Sequence, residues 1–199
     1  MPEVAIIDGG GANIASLRFA LKRLGADSEL TTDPDTIRAA RRVILPGVGA
    51  AADAMEKLRS AGLDKVIPAL TQPLLGICLG MQLLFDSSEE EDATCLGIIE
   101  GRAHLFDIAQ DQPVPHMGWN RVKQTRNTVL FNGIPDGAYF YFVHSYALDT
   151  VAATTGRTSY GRNFTSVVHQ GNFMGAQFHP ERSGKYGARL LQNFLEQND

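Results

Sequence analysis

Hydrophobic positions follow two textures along the chain. Up to Phe85, short continuous apolar runs alternate with stretches where apolar residues recur every three or four positions. Val4-Ala5-Ile6-Ile7 ends at Asp8 and a glycine cluster, and predicts a buried strand. Beyond Asn13, residues Ile14, Leu17, Ala20, Leu21 and Leu24 keep helical spacing, with Gly25 as the stop. Residues 27–31 give a weaker strand, and Pro34 suits the first turn of a short helix. Arg42-Val43-Ile44-Leu45 is a strand closed by Pro46-Gly47, and helices are expected over 50–61 and 63–70. Leu74-Leu75-Gly76-Ile77 is a fourth strand, turning at Cys78 into a helix that runs to Phe85. Such alternation predicts an α/β fold with a mostly parallel central sheet flanked by helices.

The acidic run Ser87-Ser88-Glu89-Glu90-Glu91-Asp92 predicts a solvated loop. After it, short β-type runs recur at 96–99, 121–123, 139–144, 166–169 and 173–177. The last two, joined through Gln170-Gly171-Asn172, form a hairpin. A final helix over 184–195 carries Leu190, Leu191 and Phe194. With no repeat and no linker-like tract, a single domain over 1–199 with an added antiparallel layer is expected.

Composition narrows the function classes. At 44% hydrophobic and 20% charged, the chain is an ordinary globular one. A net charge of -4, with basic residues scattered, argues against nucleic-acid binding. No apolar stretch reaches the length of a membrane span, and the first residues carry no leader pattern. Two cysteines, Cys78 and Cys95, are too few for a disulfide scaffold, so a cytoplasmic setting is expected. No His/Cys pair has metal-ligand spacing, so neither metal nor cofactor is expected.

The sharpest chemical signal is Gly76-Ile77-Cys78-Leu79-Gly80-Met81-Gln82, placed where a strand turns straight into a helix. This is the logic of a nucleophile elbow with Cys in place of Ser. Glycines are needed because the turn leaves no room on either flank of the nucleophile. The helix start favours a thiolate, and the Leu79 N–H is placed to hold an oxyanion. A cysteine nucleophile needs a base, and the base needs an orienting group. Of the five histidines, His179 fits best: it follows an apolar β run, and Pro180 stiffens the turn that carries Glu181. His144 is the runner-up. Pro46-Gly47-Val48-Gly49 is either a plain tight turn or a backbone strip that turns an N–H toward substrate. Gly9-Gly10-Gly11 does not fit a dinucleotide fingerprint.

These residues resemble the class I, or triad, glutamine amidotransferases, whose fold is flavodoxin-like. Four further stretches are similar to the glutaminase subunits of imidazole glycerol phosphate synthases in particular. They are Pro46-Gly47-Val48-Gly49, Pro115-His116-Met117-Gly118-Trp119-Asn120, Tyr141-Phe142-Val143-His144-Ser145-Tyr146, and Gln177-Phe178-His179-Pro180-Glu181 with Ser183-Gly184. The resemblance implies that Cys78 forms a glutamyl thioester while His179, oriented by Glu181, moves protons. It implies an oxyanion hole from Leu79 and the strip containing Val48 and Gly49. Glutamine would be held by Gly47, Gln82, His144, Ser145 and Tyr146. Ammonia would pass to a cyclase partner of (β/α)8-barrel type, in a heterodimer of histidine biosynthesis. Asn13, Trp119, Tyr141 and Arg182 are the interface candidates; Arg182 stands where lysine is usual in the family. A glutaminase for anthranilate or pyridoxal phosphate synthesis, a non-catalytic binding module and a generic cysteine hydrolase are the competing readings.

Overall fold

A computed structural model describes residues 2–9, 14–107 and 112–197. In chain order its elements are β1 (Val4–Ile7), α1 (Ile14–Arg23), β2 (Ser28–Thr31), α2 (Pro34–Ala39), β3 (Arg42–Gly47), α3 (Ala51–Ser60) and α4 (Leu63–Val66). Next come β4 (Leu74–Cys78), α5 (Leu79–Gln82), β5 (Phe85–Ser88), β6 (Ala93–Thr94) and β7 (Ile99–Leu105). The remainder is β8 (His116–Gln124), β9 (Ala138–His144), β10 (Tyr146–Leu148), β11 (Thr154–Tyr160), β12 (Arg162–Gln170), β13 (Phe173–Ala176) and α6 (Gly184–Leu195).

Nine strands form one sheet in the order β2-β1-β3-β4-β13-β12-β11-β8-β9. Its first five strands are parallel and the rest antiparallel. The sequence texture follows this division. β1, β4 and β13 are buried at every position, as strands covered on both faces must be. β9 alternates buried and partly exposed positions. In β1 and β3, alternate side chains feed two separate cores. Ala5, Ile7, Val43 and Leu45 pack with α3 and α4 residues such as Met55, Leu58 and Leu63. Val4, Ile6 and Ile44 pack with Leu17 and Leu21 of α1 and with Leu190, Leu191 and Phe194 of α6. Each of the last three, fully buried, stabilises the fold by about 1.5–3 kcal/mol. Asp33 caps α2 by accepting the Thr36 N–H at 2.8 Å.

Four local expectations change. The helix starting at the elbow ends at Gln82 instead of Phe85. Phe85 opens β5, where it pairs with Ile99 of β7, so the chain must leave the helix before it. The acidic run is largely structured: Phe85–Ser88 pairs with β7, and residues 90–92 form a 3-10 turn. Glu89 accepts the Leu105 N–H at 2.9 Å and sits 2.8 Å from the His104 ring. The strand expected over 96–99 starts at Ile99. Finally, β12, β11, β8 and β9 extend the main sheet, while β10, β7, β5 and β6 make a second, four-stranded sheet over one core. Gly10, Gly11 and Asn13 lie outside the described residues.

Candidate active site

Cys78 is the last residue of β4 and stands at φ 55°, ψ −113°. A non-glycine residue at positive φ costs of order 1–3 kcal/mol and persists only where its surroundings enforce it. Here three glycines allow the enforcement. A Cβ on Gly80 would stand 1.8 Å from the Leu45 carbonyl oxygen, and one on Gly76 would stand 2.6 Å from that of Gly80. A Cβ on Gly47 would reach 2.8 Å from the Gly80 nitrogen. β3, β4 and α5 therefore meet backbone to backbone, with Gly47 opposite Cys78 in the sheet register. Because α5 is only four residues long, its dipole is weak, and specific N–H groups must do most of any anion holding.

The chain leaving β13 brings His179 to the same point. The His179 N–H donates to the Tyr141 carbonyl at 2.9 Å. Ser183 Oγ donates to the His179 carbonyl at 2.6 Å and accepts the Tyr141 N–H at 2.9 Å. His179 Nδ1 lies 2.9 Å from Glu181 Oε1, and both side chains are nearly inaccessible to solvent. The carboxylate can only accept, so Nδ1 carries the proton and Nε2 is left for the sulfur. Burial pushes the imidazole pKa down. The hydrogen bond to Cys78, the bond to Glu181 and their two charges outweigh it and raise the ring to about 10. The remaining oxygen of Glu181, Oε2, is buried without a hydrogen-bond partner among the described residues.

A cavity of about 280 Å³ opens over Cys78, lined also by Val48, Gly49, Leu79, Gln82, Glu90, Val143, His144, Ser145, Tyr146 and His179. Of the residues expected to hold glutamine, Gly47 is not in this lining. It sits behind, on a small cavity shared with Leu17, Pro46, Val48, Ile77, His179 and Glu181. Gln82 donates both amide hydrogens, to the Tyr146 carbonyl and to Gln177 Oε1, each at 2.9 Å, so its own oxygen is what it can offer a ligand. Glu90 was hidden from sequence reasoning by its acidic neighbours. Its Oε2 accepts the Ala51 N–H at 2.8 Å, and burial raises its pKa. Among the described residues it is the one carboxylate lining the cavity.

His144 is disqualified as the base. Its Nδ1 donates to the Tyr146 carbonyl at 2.7 Å, so its Nε2 accepts from His116 Nδ1 at 2.9 Å. His116 Nε2 in turn accepts from Asn120 Nδ2 at 3.2 Å. Burial pushes His144 down to about 3 and His116 down to about 4, so both rings are neutral hydrogen-bonded struts. Among the described residues no group of three or more His, Cys, Asp or Glu is arranged to hold a metal ion, and no helix is long and apolar enough to cross a membrane.

Three of the interface candidates fall together. Trp119 of β8 is 55% exposed and pairs with Tyr141 of β9, their rings 6.1 Å apart. The Arg182 guanidinium lies 4.6 Å from the centre of the Tyr141 ring. Asn13 lies outside the described residues.

The family model for glutamine amidotransferase class-I matches residues 5–198. The chain is 52% identical over 196 residues to the imidazole glycerol phosphate synthase subunit HisH of Xylella fastidiosa (strain Temecula1), covering 98% of each. It is 51% identical, with the same coverage, to the subunit HisH of Xanthomonas axonopodis pv. citri. Among solved structures, a GMP synthase subunit from Thermoplasma acidophilum matches with a TM-score of 0.75 at 19% identity, over 98% of this chain and 92% of that one. PurLQS from Thermotoga maritima matches with a TM-score of 0.73 at 19% identity, over 98% of both. These two likenesses bear on fold alone. From the full-length sequence matches, the chain belongs to the class-I glutamine amidotransferases and, within them, to the family of imidazole glycerol phosphate synthase HisH subunits.

Proposed function

We propose that this chain is the glutamine-hydrolysing subunit of an imidazole glycerol phosphate synthase in histidine biosynthesis, with Cys78, His179 and Glu181 as its catalytic triad. One observation carries the assignment. A cysteine strained at a strand end lines one cavity with an imidazole that a buried carboxylate aligns at 2.9 Å. The Cys78 thiolate adds to the carboxamide carbon of glutamine. The N–H groups of Leu79 and of the Val48-Gly49 strip receive the oxyanion. His179 gives its Nε2 proton to the departing nitrogen, ammonia leaves, and a glutamyl thioester remains. Water then attacks the thioester with His179 as base, which restores the thiolate and frees glutamate. Glu90 suits the α-ammonium group of the substrate. The Gln82 oxygen and the chain at His144, Ser145 and Tyr146 fix the rest.

The strip is also the gate. Gly49 stands at φ +90°, a conformation glycine adopts without strain, and its peptide is the one in the strip that would present or withdraw a donor. The exposed Trp119, with Tyr141 and Arg182 beside it, is the docking face for a cyclase of (β/α)8-barrel type. In that heterodimer the ammonia meets a ribulosyl phosphate intermediate, giving imidazole glycerol phosphate and an aminoimidazole carboxamide ribotide. We place the protein in the cytoplasm, consistent with two free thiols, and treat residues 1–199 as one domain because a single sheet joins β1 to β13.

The test is ammonia release from glutamine by the chain alone, with the cyclase, and with the cyclase carrying its ligand. Release should rise along that series and vanish in Cys78→Ala. Equal rates in all three conditions remove the gate, and an active Cys78→Ala removes the triad.

A further inference from the structure

The His179 imidazolium is one group that steadies a sulfur anion at Cys78, and the fold sets a further polar group against the same atom. Cys78 is 7% exposed, and one helical turn follows it. Gln177 meets the sulfur from the end of β13. It is fully buried, its Nε2 lies 3.8 Å from Cys78 Sγ, and its Oε1 accepts from Gln82 Nε2 at 2.9 Å.

The orientation of that amide follows from a main-chain carbonyl that can only accept. Tyr146 O receives Gln82 Nε2 at 2.9 Å, which fixes which end of Gln82 is nitrogen. The second hydrogen on that nitrogen requires an oxygen from Gln177. The Gln177 nitrogen is then the end left facing the sulfur.

We propose that Gln177 is a third group on the nucleophile, its amide N–H donating to the Cys78 thiolate and stabilising it. The proposal rests on the reading of Cys78 as nucleophile. A donor on sulfur discriminates between protonation states. It bonds strongly to the anion and weakly to the thiol, and so favours thiolate at a given pH. The thiol has its own outlet, the Val143 carbonyl 3.7 Å away, which can accept S–H. His179 and Glu181 on the turn after β13, His144 on β9, Tyr146 on β10 and Glu90 also face the site. They are unchanged in the variants below.

The experiment is the pH dependence of Cys78 alkylation by iodoacetamide in the full chain, with peptide mass spectrometry separating Cys78 from Cys95. Gln177→Met keeps length without the donor. It should move the alkylation midpoint up by about one pH unit. Gln177→Glu keeps the oxygen that Gln82 needs but turns a carboxylate toward sulfur, and should move the midpoint further. Charge repulsion alone raises the midpoint in Gln177→Glu, so Gln177→Met is the deciding variant. A Gln177→Met midpoint that coincides with the parent's overturns the inference. Circular dichroism checks folding, and Gln177→Met alone decides if the buried carboxylate prevents it. Glutamine hydrolysis that survives in Cys78→Ser with the partner present overturns the nucleophile reading itself. That outcome is distinct from unmoved midpoints in a chain whose Cys78 is essential.

Discussion

His179 holds its proton more tightly in the folded chain than a free imidazole does, because a sulfur and a carboxylate outweigh the effect of burial. The folded pKa lies above the unfolded value. The resulting stabilisation is therefore complete below about pH 6.5 and fades as pH rises toward 10. Removing either partner should lower the ring's titration midpoint, measured by NMR of the labelled imidazole in Cys78→Ser and Glu181→Gln. Thermal midpoints of both variants should fall less steeply than the parent's between neutral and alkaline pH. A midpoint that stays put in both would mean the ring is not held as described. Glu181→Gln should also cut hydrolysis by about 10²–10⁴-fold, since an amide can turn the wrong end to Nδ1.

Elements made by contiguous apolar residues were legible from the sequence, and elements made by distant partners were not. β1, β3 and β4 announce themselves because parallel strands buried on both faces need unbroken apolar runs. The elbow was readable from Gly76 and Gly80 because steric exclusion acts within a few residues of chain. β11, with the sequence TTGRTSY, offers too little apolar alternation to be seen; it owes its strand to β12 and β8 on either side. Glu90 reads as one acid among several until the fold sets it against Ala51, 39 residues earlier. Gln177 depends on Gln82, 95 residues away. The elbow's own demand is testable. Gly80→Ala places a methyl 1.8 Å from the Leu45 carbonyl oxygen, so β3 and α5 must part. The expected loss exceeds about 3 kcal/mol in urea unfolding, with reactivity at Cys78 lost even where the chain still folds. A Gly80→Ala chain with parental stability and labelling would mean that the elbow has slack.

At the scale of the whole molecule, the proposed catalytic pocket and the proposed docking patch share one sheet edge, since β9 carries both Tyr141 and His144. Trp119 is the side chain most suited to anchor a partner, being large, exposed and flanked by a cation on its neighbour. Trp119→Ala should weaken cyclase binding by roughly 30-fold, equivalent to about 2 kcal/mol. Titration calorimetry would read this, and the free chain's melting temperature should barely move. Unchanged affinity would put the docking face elsewhere. Between that patch and the sulfur runs the bonded series from Asn120 through His116, His144, the Tyr146 carbonyl, Gln82 and Gln177. Its middle link takes hydrogens from both sides and gives none, so no Grotthuss hopping can cross it. Whatever the proposed partner imparts along this route travels as displacement of atoms, and the acid–base poise at the sulfur stays a local matter of Cys78, His179, Glu181 and Gln177.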